Sequence, residues 1–241
     1  MSSRNDEDLT GYELDDVVKR IGALNLDWTK RNEKVDTQAK LAIGVRESLV
    51  SIDSPSIVSF SEVSGEGWSK KFKRETTYIG ASVSGPYGRG FMYTAWKRDE
   101  FFHEETIQSK GKRYTGVLLV DKKSKKRHLH IGVHMPTKGG IWKVNADAIS
   151  RCVEDYRTKK DGVDFVSIAG DFNASPFDVV KHFAPDGLNF ALTSQVFLPT
   201  TTAGNSIDNV LSSQEFNIES IIIDSKNDRF THYPIAATTK K

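Results

Sequence analysis

The chain has 241 residues, 37% of them hydrophobic and 27% charged, which supplies one sizeable core and excludes disorder, collagen and a disulfide-stapled mini-protein. With 34 basic residues against 32 acidic ones the formal charge is +2, so no global field announces a nucleic-acid or membrane partner. Any partner must be read from a site. Cys152 is the only cysteine, which rules out an intramolecular disulfide and suits a reducing compartment. No stretch approaches the ~18 apolar residues that a membrane span needs. The expectation is an intracellular protein, cytoplasmic or nuclear, monomeric and without a membrane partner.

Residues 1–19 carry Asp6, Glu7, Asp8, Glu13, Asp15 and Asp16 with few apolar anchors and read as an acidic, flexible tail. Residues 20–241 read as one domain. Arg20 to Leu26 reads as a strand, and Val35, Ala39, Ala42, Ile43, Leu49 and Val50 fall near helical spacing, predicting a helix over 36–52 that ends before Pro55. Ile57 to Val63 alternates β-branched and aromatic residues with polar ones and predicts a strand ending at Glu62. Four more strands follow, at 77–83, 90–96, 113–120 and 128–134. The cationic run from Asp121 to Arg127 reads as the hairpin tip between the last two. Trp142, Ala146, Ile149, Cys152, Val153 and Tyr156 share one helical face, predicting a helix over 141–159 with Cys152 in its buried stripe.

Val163 to Ala169 is an apolar run that ends at Gly170 and Asp171, the pattern of an interior strand with polar residues at its C-terminal edge. There a carboxylate is expected to be solvated. Ser175 as N-cap, Pro176 at the first helical position and Asp178 in the capping-box position then start a short helix. Further strands are expected at 188–196, 206–212, 216–224 and 230–238. Strands outnumber helices and do not alternate strictly with them, which suits two packed sheets with outer helices better than a Rossmann fold. No glycine-rich nucleotide loop follows a strand, so dinucleotide and P-loop chemistry have no support.

Polar groups recur at strand ends: Asn25, Glu62, Asp171 with Asn173, and Asp208, with His134 and His232 at two more. Each alone reads first as a turn former or cap. Together they suggest a site, and hard divalent cations prefer such carboxylate and amide oxygens.

The segments IVSFSEV, GVHMPT, IAGDFNASP, TTTAGNSIDNVL and THYPIA, in this order, resemble the endonuclease/exonuclease/phosphatase (DNase I-like) superfamily over about residues 20–238. The most specific piece is GDFN, Gly170 to Asn173. The resemblance implies a four-layered α/β sandwich of two mainly antiparallel sheets flanked by helices, with the active site at one end. It implies metal binding at Glu62 and Asn25, water activation at Asp171, an amide holding developing charge at Asn173, and a carboxylate–imidazole pair of Asp208 with His232. His134 and Arg113 look like a second catalytic histidine and a phosphate-contacting arginine. In YGRGFMYTAW, Gly88, Arg89 and Gly90 stand where a carboxylate partner for His134 is wanted, which favours a structural part for that histidine. Thr231 stands where the family usually has an aspartate that helps hold metal, with Asp228 four residues away as a substitute or a plain turn residue.

What the resemblance implies is hydrolysis of phosphodiester bonds with Mg²⁺ or Mn²⁺, as a nuclease, in particular an endonuclease, on DNA or RNA. A phosphatase or lipid phosphodiesterase on the same scaffold is the alternative, although the Pro-Ala-Trp-Cys-Asp-Arg segment usual in inositol-polyphosphate 5-phosphatases is replaced here by Asn205 to Asn209. A member that binds without cutting is a third reading. The stretch WSKKFKR, Trp68 to Arg74, mixes aromatics with cations as single-strand-binding surfaces do, and as an ordinary exposed helix does too.

Overall fold

In the computed structural model the described residues are 19–26, 37–63, 72–74, 76–84, 91–108, 113–137, 139–158, 162–196, 198–227 and 230–240. The first sheet contains β1 (Lys19–Asn25), β2 (Ile57–Val63), β3 (Tyr78–Ser84), β4 (Phe91–Lys97), β11 (Asn217–Ile223) and β12 (Ile235–Lys240). The second contains β5 (Phe101–Gln108), β6 (Tyr114–Asp121), β7 (Arg127–His134), β8 (Phe165–Asp171), β9 (Leu188–Phe190) and β10 (Asp208–Ser213). Their orders are β11-β12-β1-β2-β4-β3 and β5-β6-β7-β8-β10-β9. Among the described strands, only β1 with β2 and β7 with β8 run parallel. Each of those pairs is joined by a helix, α1 (Thr37–Ser51) and α2 (Gly140–Thr158), because a parallel connection needs a crossover. A third helix, α3 (Pro176–Phe183), follows β8.

Three apolar clusters define four layers. Val45, Leu49 and Ile52 of the α1 region pack on Leu24, Phe60 and Tyr93 of the first sheet. Ala146, Ile149, Cys152 and Val153 of α2 pack on Leu129, Ile131 and Ile168 of the second, so Cys152 is a core residue, as its place in the stripe predicts. Between the sheets lie Ile21, Ile57, Val117, Ala169 and Val210. That central layer is not wholly apolar: His130 bridges the sheets, its Nε2 2.8 Å from Ser59 Oγ and its Nδ1 2.7 Å from Ser167 Oγ. Burial pushes the His130 imidazole down to about 3, so it bridges as a neutral ring.

The elements agree with the sequence pattern except in four places. β5 was not expected, because His103, Glu104 and Glu105 break its alternation; it is a sheet edge with a register shift between His103 and Glu105, where charge on the open side is favoured. The strand expected over 188–196 pairs only at Leu188–Phe190. Beyond it the Asn209 side chain accepts from Leu192 N at 3.0 Å and donates to Leu192 O at 2.9 Å, replacing the ladder. The strand expected at 230–238 begins only at Ile235, after Pro234, which has no N–H to give. Lys19, assigned to the tail, already lies in β1 opposite Thr239, while residues 1–18 lie outside the described residues. The Ser175 cap is as expected: its hydroxyl accepts from Asp178 N at 3.2 Å and donates to the Asp178 carboxylate at 2.7 Å.

Gly170 is the tightest backbone position leading to the chemistry. Its φ is +146°, and a Cβ there would lie 2.1 Å from the Val133 carbonyl oxygen of the neighbouring strand. Relief requires β7 and β8 to move apart, so Gly170→Ala should cost about 3 kcal/mol. Thermal unfolding should then show a Tm roughly 6–12 °C below wild type. An unchanged Tm would mean the strands separate at no cost.

Candidate active site

The polar strand ends converge because both parallel pairs end at the same end of the sandwich. Asp171, the last residue of β8, is in register with His134, the last of β7, and with Asp208, the first of β10. Asn25 ends β1 opposite Ser61 of β2, next to Glu62. Across the gap between sheets, Asn25 Nδ2 donates to Asp171 Oδ2 at 3.0 Å. Asn173, in the left-handed region at φ +47°, turns back so that its N–H donates to Asp171 Oδ1 at 2.8 Å. Its side-chain amide donates to Met135 O at 2.9 Å and to Asp171 Oδ2 at 3.3 Å.

Asp171 is therefore not the solvated strand-end carboxylate expected from sequence. It is 2% exposed, because groups from both sheets close over it. Burial first, and then the neighbouring Asp208 carboxylate, raise it well above the usual carboxylate range, against the opposing pull of His232 and the two amide contacts.

Asp208 accepts from His232 Nδ1 at 2.9 Å. Burial alone would lower the imidazole, but Asp208 beside it, with Asp171 and Glu62 further off, lifts it to about 9. Asp171, Asp208 and His232 form a group whose ligand-capable atoms lie within 4.8 Å of one another. Thr200, which the sequence did not single out although it opens TTTAGNSIDNVL, ties this group together. Its buried hydroxyl accepts from Ile207 N and Asp208 N at 3.1 Å each, and its carbonyl accepts from Tyr233 N at 2.7 Å. A bridge between Thr201 and His232 fixes the same loop, and Thr231 O accepts from Thr202 N at 2.9 Å.

The expectation that His134 lacks a carboxylate is corrected. Its Nε2 lies 3.6 Å from Glu62 Oε1 and 3.8 Å from Asp171 Oδ2. The reason is a bulge: Phe60 pairs with Tyr93 but Val63 pairs with Phe91, so two residues of β2 oppose one of β4. Regular alternation would put Glu62 on the Phe60 face, under the outer layer. Its left-handed φ of +54° at the bulge turns it towards His134. Burial first, then the charges of Arg113 and His232, push the His134 imidazole down to about 4, so this histidine is neutral at pH 7 while His232 is charged.

Arg113 enters the site through its backbone. Its N–H donates to Asn145 Oδ1 at 3.0 Å and its carbonyl accepts from His134 N at 3.0 Å. Asn145, buried on α2, was not foreseen either; it looks like a helix-face polar residue until the loop before β6 is placed beside it. All eight residues singled out from sequence thus lie at one end of the sandwich. Asp228 and Trp68 to Lys71 lie outside the described residues. Phe72 of the WSKKFKR stretch is fully buried against Phe60 and Tyr78, a core side chain and not an exposed base platform.

No family model matches the sequence, and no curated protein sequence matches it. Solved structures do. The catalytic domain of human Nocturnin, solved with bound sulfate, is 16% identical over 93% of this chain and 95% of that one, with a TM-score of 0.75. An endonuclease/exonuclease/phosphatase from Bacteroides vulgatus is 14% identical over 92% and 98%, at 0.73. D. rerio TDP2 in complex with a single-strand DNA product is 14% identical over 94% and 100%, at 0.67. The chain has the fold of the endonuclease/exonuclease/phosphatase superfamily, a DNase I-like α/β sandwich of two six-stranded mixed sheets between helices. No helix among the described residues is long and apolar enough to cross a membrane.

Proposed function

We propose that this chain is a divalent-metal-dependent phosphodiesterase that cuts DNA or RNA, acting as a monomer inside the cell. The observation that carries the reading is Asp171: a buried carboxylate held by two amides, facing a charged Asp208–His232 pair and a neutral His134 at one end of this fold. Asp171 is the base that takes the proton of the attacking water, which its raised affinity for protons suits. With Nδ1 committed to Asp208, the imidazolium of His232 offers its Nε2–H to a phosphate oxygen. Asn173, whose N–H groups are given to Asp171 and Met135, holds that base in place, while Arg113 donates to the phosphate as its charge grows, and such preorganised donors supply the largest part of catalysis.

The donor set fits a hard cation. Glu62 brings a carboxylate and Asn25 an amide oxygen to adjacent strand ends, and since Asn25 Nδ2 points to Asp171 a cation would meet the oxygen end of that amide. Mg²⁺ or Mn²⁺ held there would neutralise charge on the phosphate.

The reading is tested by incubating the protein with supercoiled plasmid, single-stranded DNA, RNA and a soluble phosphomonoester, each with Mg²⁺, Mn²⁺ or EDTA. Nicking or shortening of nucleic acid that EDTA abolishes is the expected result, and nicked plasmid separates endonuclease from end-directed cutting. Turnover of the phosphomonoester alone would replace the nuclease by a phosphatase.

Thr231 adds a quantitative expectation. A threonine in the position where the resemblance expects an aspartate offers no charge to a cation, so activity should need millimolar Mg²⁺ or prefer Mn²⁺. Thr231→Asp should tighten metal binding about ten-fold, by adding a hard anionic oxygen. Calorimetric metal titration of both proteins checks this independently of turnover. Saturation of the wild type at micromolar Mg²⁺, with no gain in the variant, would show that another residue supplies the charge.

A further inference from the structure

Asp171 and Asp208 stand opposite one another where the ladder of β8 and β10 ends, and both are buried. Once Asp171 is ionised the two carboxylates repel each other, and burial leaves little water to screen them. β9 pairs only with Leu211 to Ser213, so its ladder does not reach Asp208. A group outside these strands must hold the two acids at their separation. Thr200 is fully buried there, and its hydroxyl accepts from both Ile207 N and Asp208 N. Ile207 in turn gives its carbonyl to Phe172 N at 2.8 Å, next to Asp171. Through the backbone, Thr200 O accepts from Tyr233 N and Thr202 N donates to Thr231 O, a short antiparallel pairing centred on Thr201 and His232. One side chain thus bonds the start of β10, is joined to the His232 segment, and reaches Asp171 through Ile207.

We infer that Thr200 is a positioning residue: its hydroxyl sets the separation of Asp171, Asp208 and His232, and so aims the imidazole N–H at the phosphate. It touches neither substrate nor reacting atoms and acts through Asp208. Its effect on rate rests on the phosphodiesterase reading above, whereas its effect on the bond between Asp208 and His232 does not. Two consecutive N–H groups share one oxygen, which fixes the backbone at Ile207 and hence the direction in which the Asp208 side chain leaves it. A valine of the same shape leaves both groups without that acceptor. The chain then turns to find others, and Asp208 moves from its place 2.9 Å from His232 Nδ1. Serine keeps the oxygen and loses only a methyl group.

The test compares Thr200→Val with Thr200→Ser in the full chain. Nicking kinetics should show kcat about 10²-fold lower in Thr200→Val with KM within about two-fold, and Thr200→Ser within about three-fold of the wild type. Placed on Asp208→Ala, Thr200→Val should lower kcat by less than about two-fold, because the residue it acts through is already gone. A merely structural threonine would lower the rate by the same factor in both backgrounds. Proton NMR reads the bond without turnover. The His232 Nδ1–H held by Asp208 should give a low-field signal, assigned by its loss in His232→Ala, that persists in Thr200→Ser and disappears in Thr200→Val. If Thr200→Val does not fold, Thr200→Cys, similar in size and a weaker acceptor, takes its place and should fall between serine and wild type on one side and Asp208→Ala on the other. Losses that multiply, a signal unchanged in Thr200→Val, or no rescue by serine overturns the positioning role and leaves the nuclease reading standing. A wild type without the signal overturns the held pair on which the inference depends. A signal that follows the expected order in a protein that cuts no phosphodiester supports the positioning role and overturns the nuclease reading alone.

Discussion

Asp171→Asn should lower turnover by about 10³-fold, inside the range for loss of a positioned base, with the fold intact. The substitution keeps the size of the side chain and an acceptor for Asn173 N–H, and Asn25 can present its oxygen to the new amide by exchanging the ends of its own. That exchange turns the Asn25 NH2 to the cation site, so calorimetric Mg²⁺ binding beside turnover separates loss of the base from loss of metal. Stability should move the other way from activity. Asp171 has a folded-state proton affinity above its ordinary one, so what it contributes as a neutral acid is fully present below the unfolded value of 3.8 and is lost as pH rises through the raised folded-state value. At pH 8 the wild type carries a buried charge beside Asp208 that the asparagine variant lacks. The variant should therefore melt at or above the wild-type temperature at pH 8, with the advantage vanishing near pH 4. Parallel rate measurements and thermal melts check both halves. Retained turnover would remove Asp171 from the chemistry, and a collapsed Tm would make it a structural residue.

Asp208→Ala, His232→Ala and the double variant should each lose activity to about the same extent, on the order of 10²–10³-fold, because a donor that exists only as a pair is lost with either member. Losses that multiply in the double variant would show two independent groups. The pH profile gives a second view of the pair. The proposed mechanism uses ionised Asp171 and protonated His232, so the rate should rise with pH through the raised carboxylate and fall as His232 loses its proton near 9. In Asp208→Asn the nearest of the charges that lift the imidazole is gone, leaving Asp171 and Glu62 further off, while burial still lowers it. The alkaline limb should move by more than one pH unit towards acid. An unmoved limb would assign that titration to another group.

The contrast between Glu62 and Asp171 shows how far the residue pattern reaches. Apolar alternation through Ile57 to Val63 and the continuous apolar run up to Asp171 locate both strands and put both acids at their ends, because side-chain burial is written residue by residue. The face that each acid takes is not written that way. Glu62 reaches His134 only through a bulge against β4 and a left-handed backbone, and no local composition marks that bulge. Asp171 acquires its raised proton affinity from burial between the two sheets and from Asp208 on a neighbouring strand, against the opposing hydrogen bond from Asn25, more than a hundred residues earlier.

Local pattern specifies two packed sheets with outer helices, the places of most strands along the chain, the buried stripe of α2 with Cys152 and the cap of α3, since periodicity and capping act over one or two turns of chain. Tertiary structure decided the rest. It made β5 a strand despite its charges, because an edge tolerates them, and cut the strand after Phe190 short, because the Asn209 amide took over its hydrogen bonds. It gave one histidine a charge and kept the other neutral, since His232 lies against Asp208 while His134 is buried near Arg113. Those outcomes depend on desolvation and on charges a few ångströms apart across two sheets, quantities set when the strand ends meet and absent from any single stretch of chain.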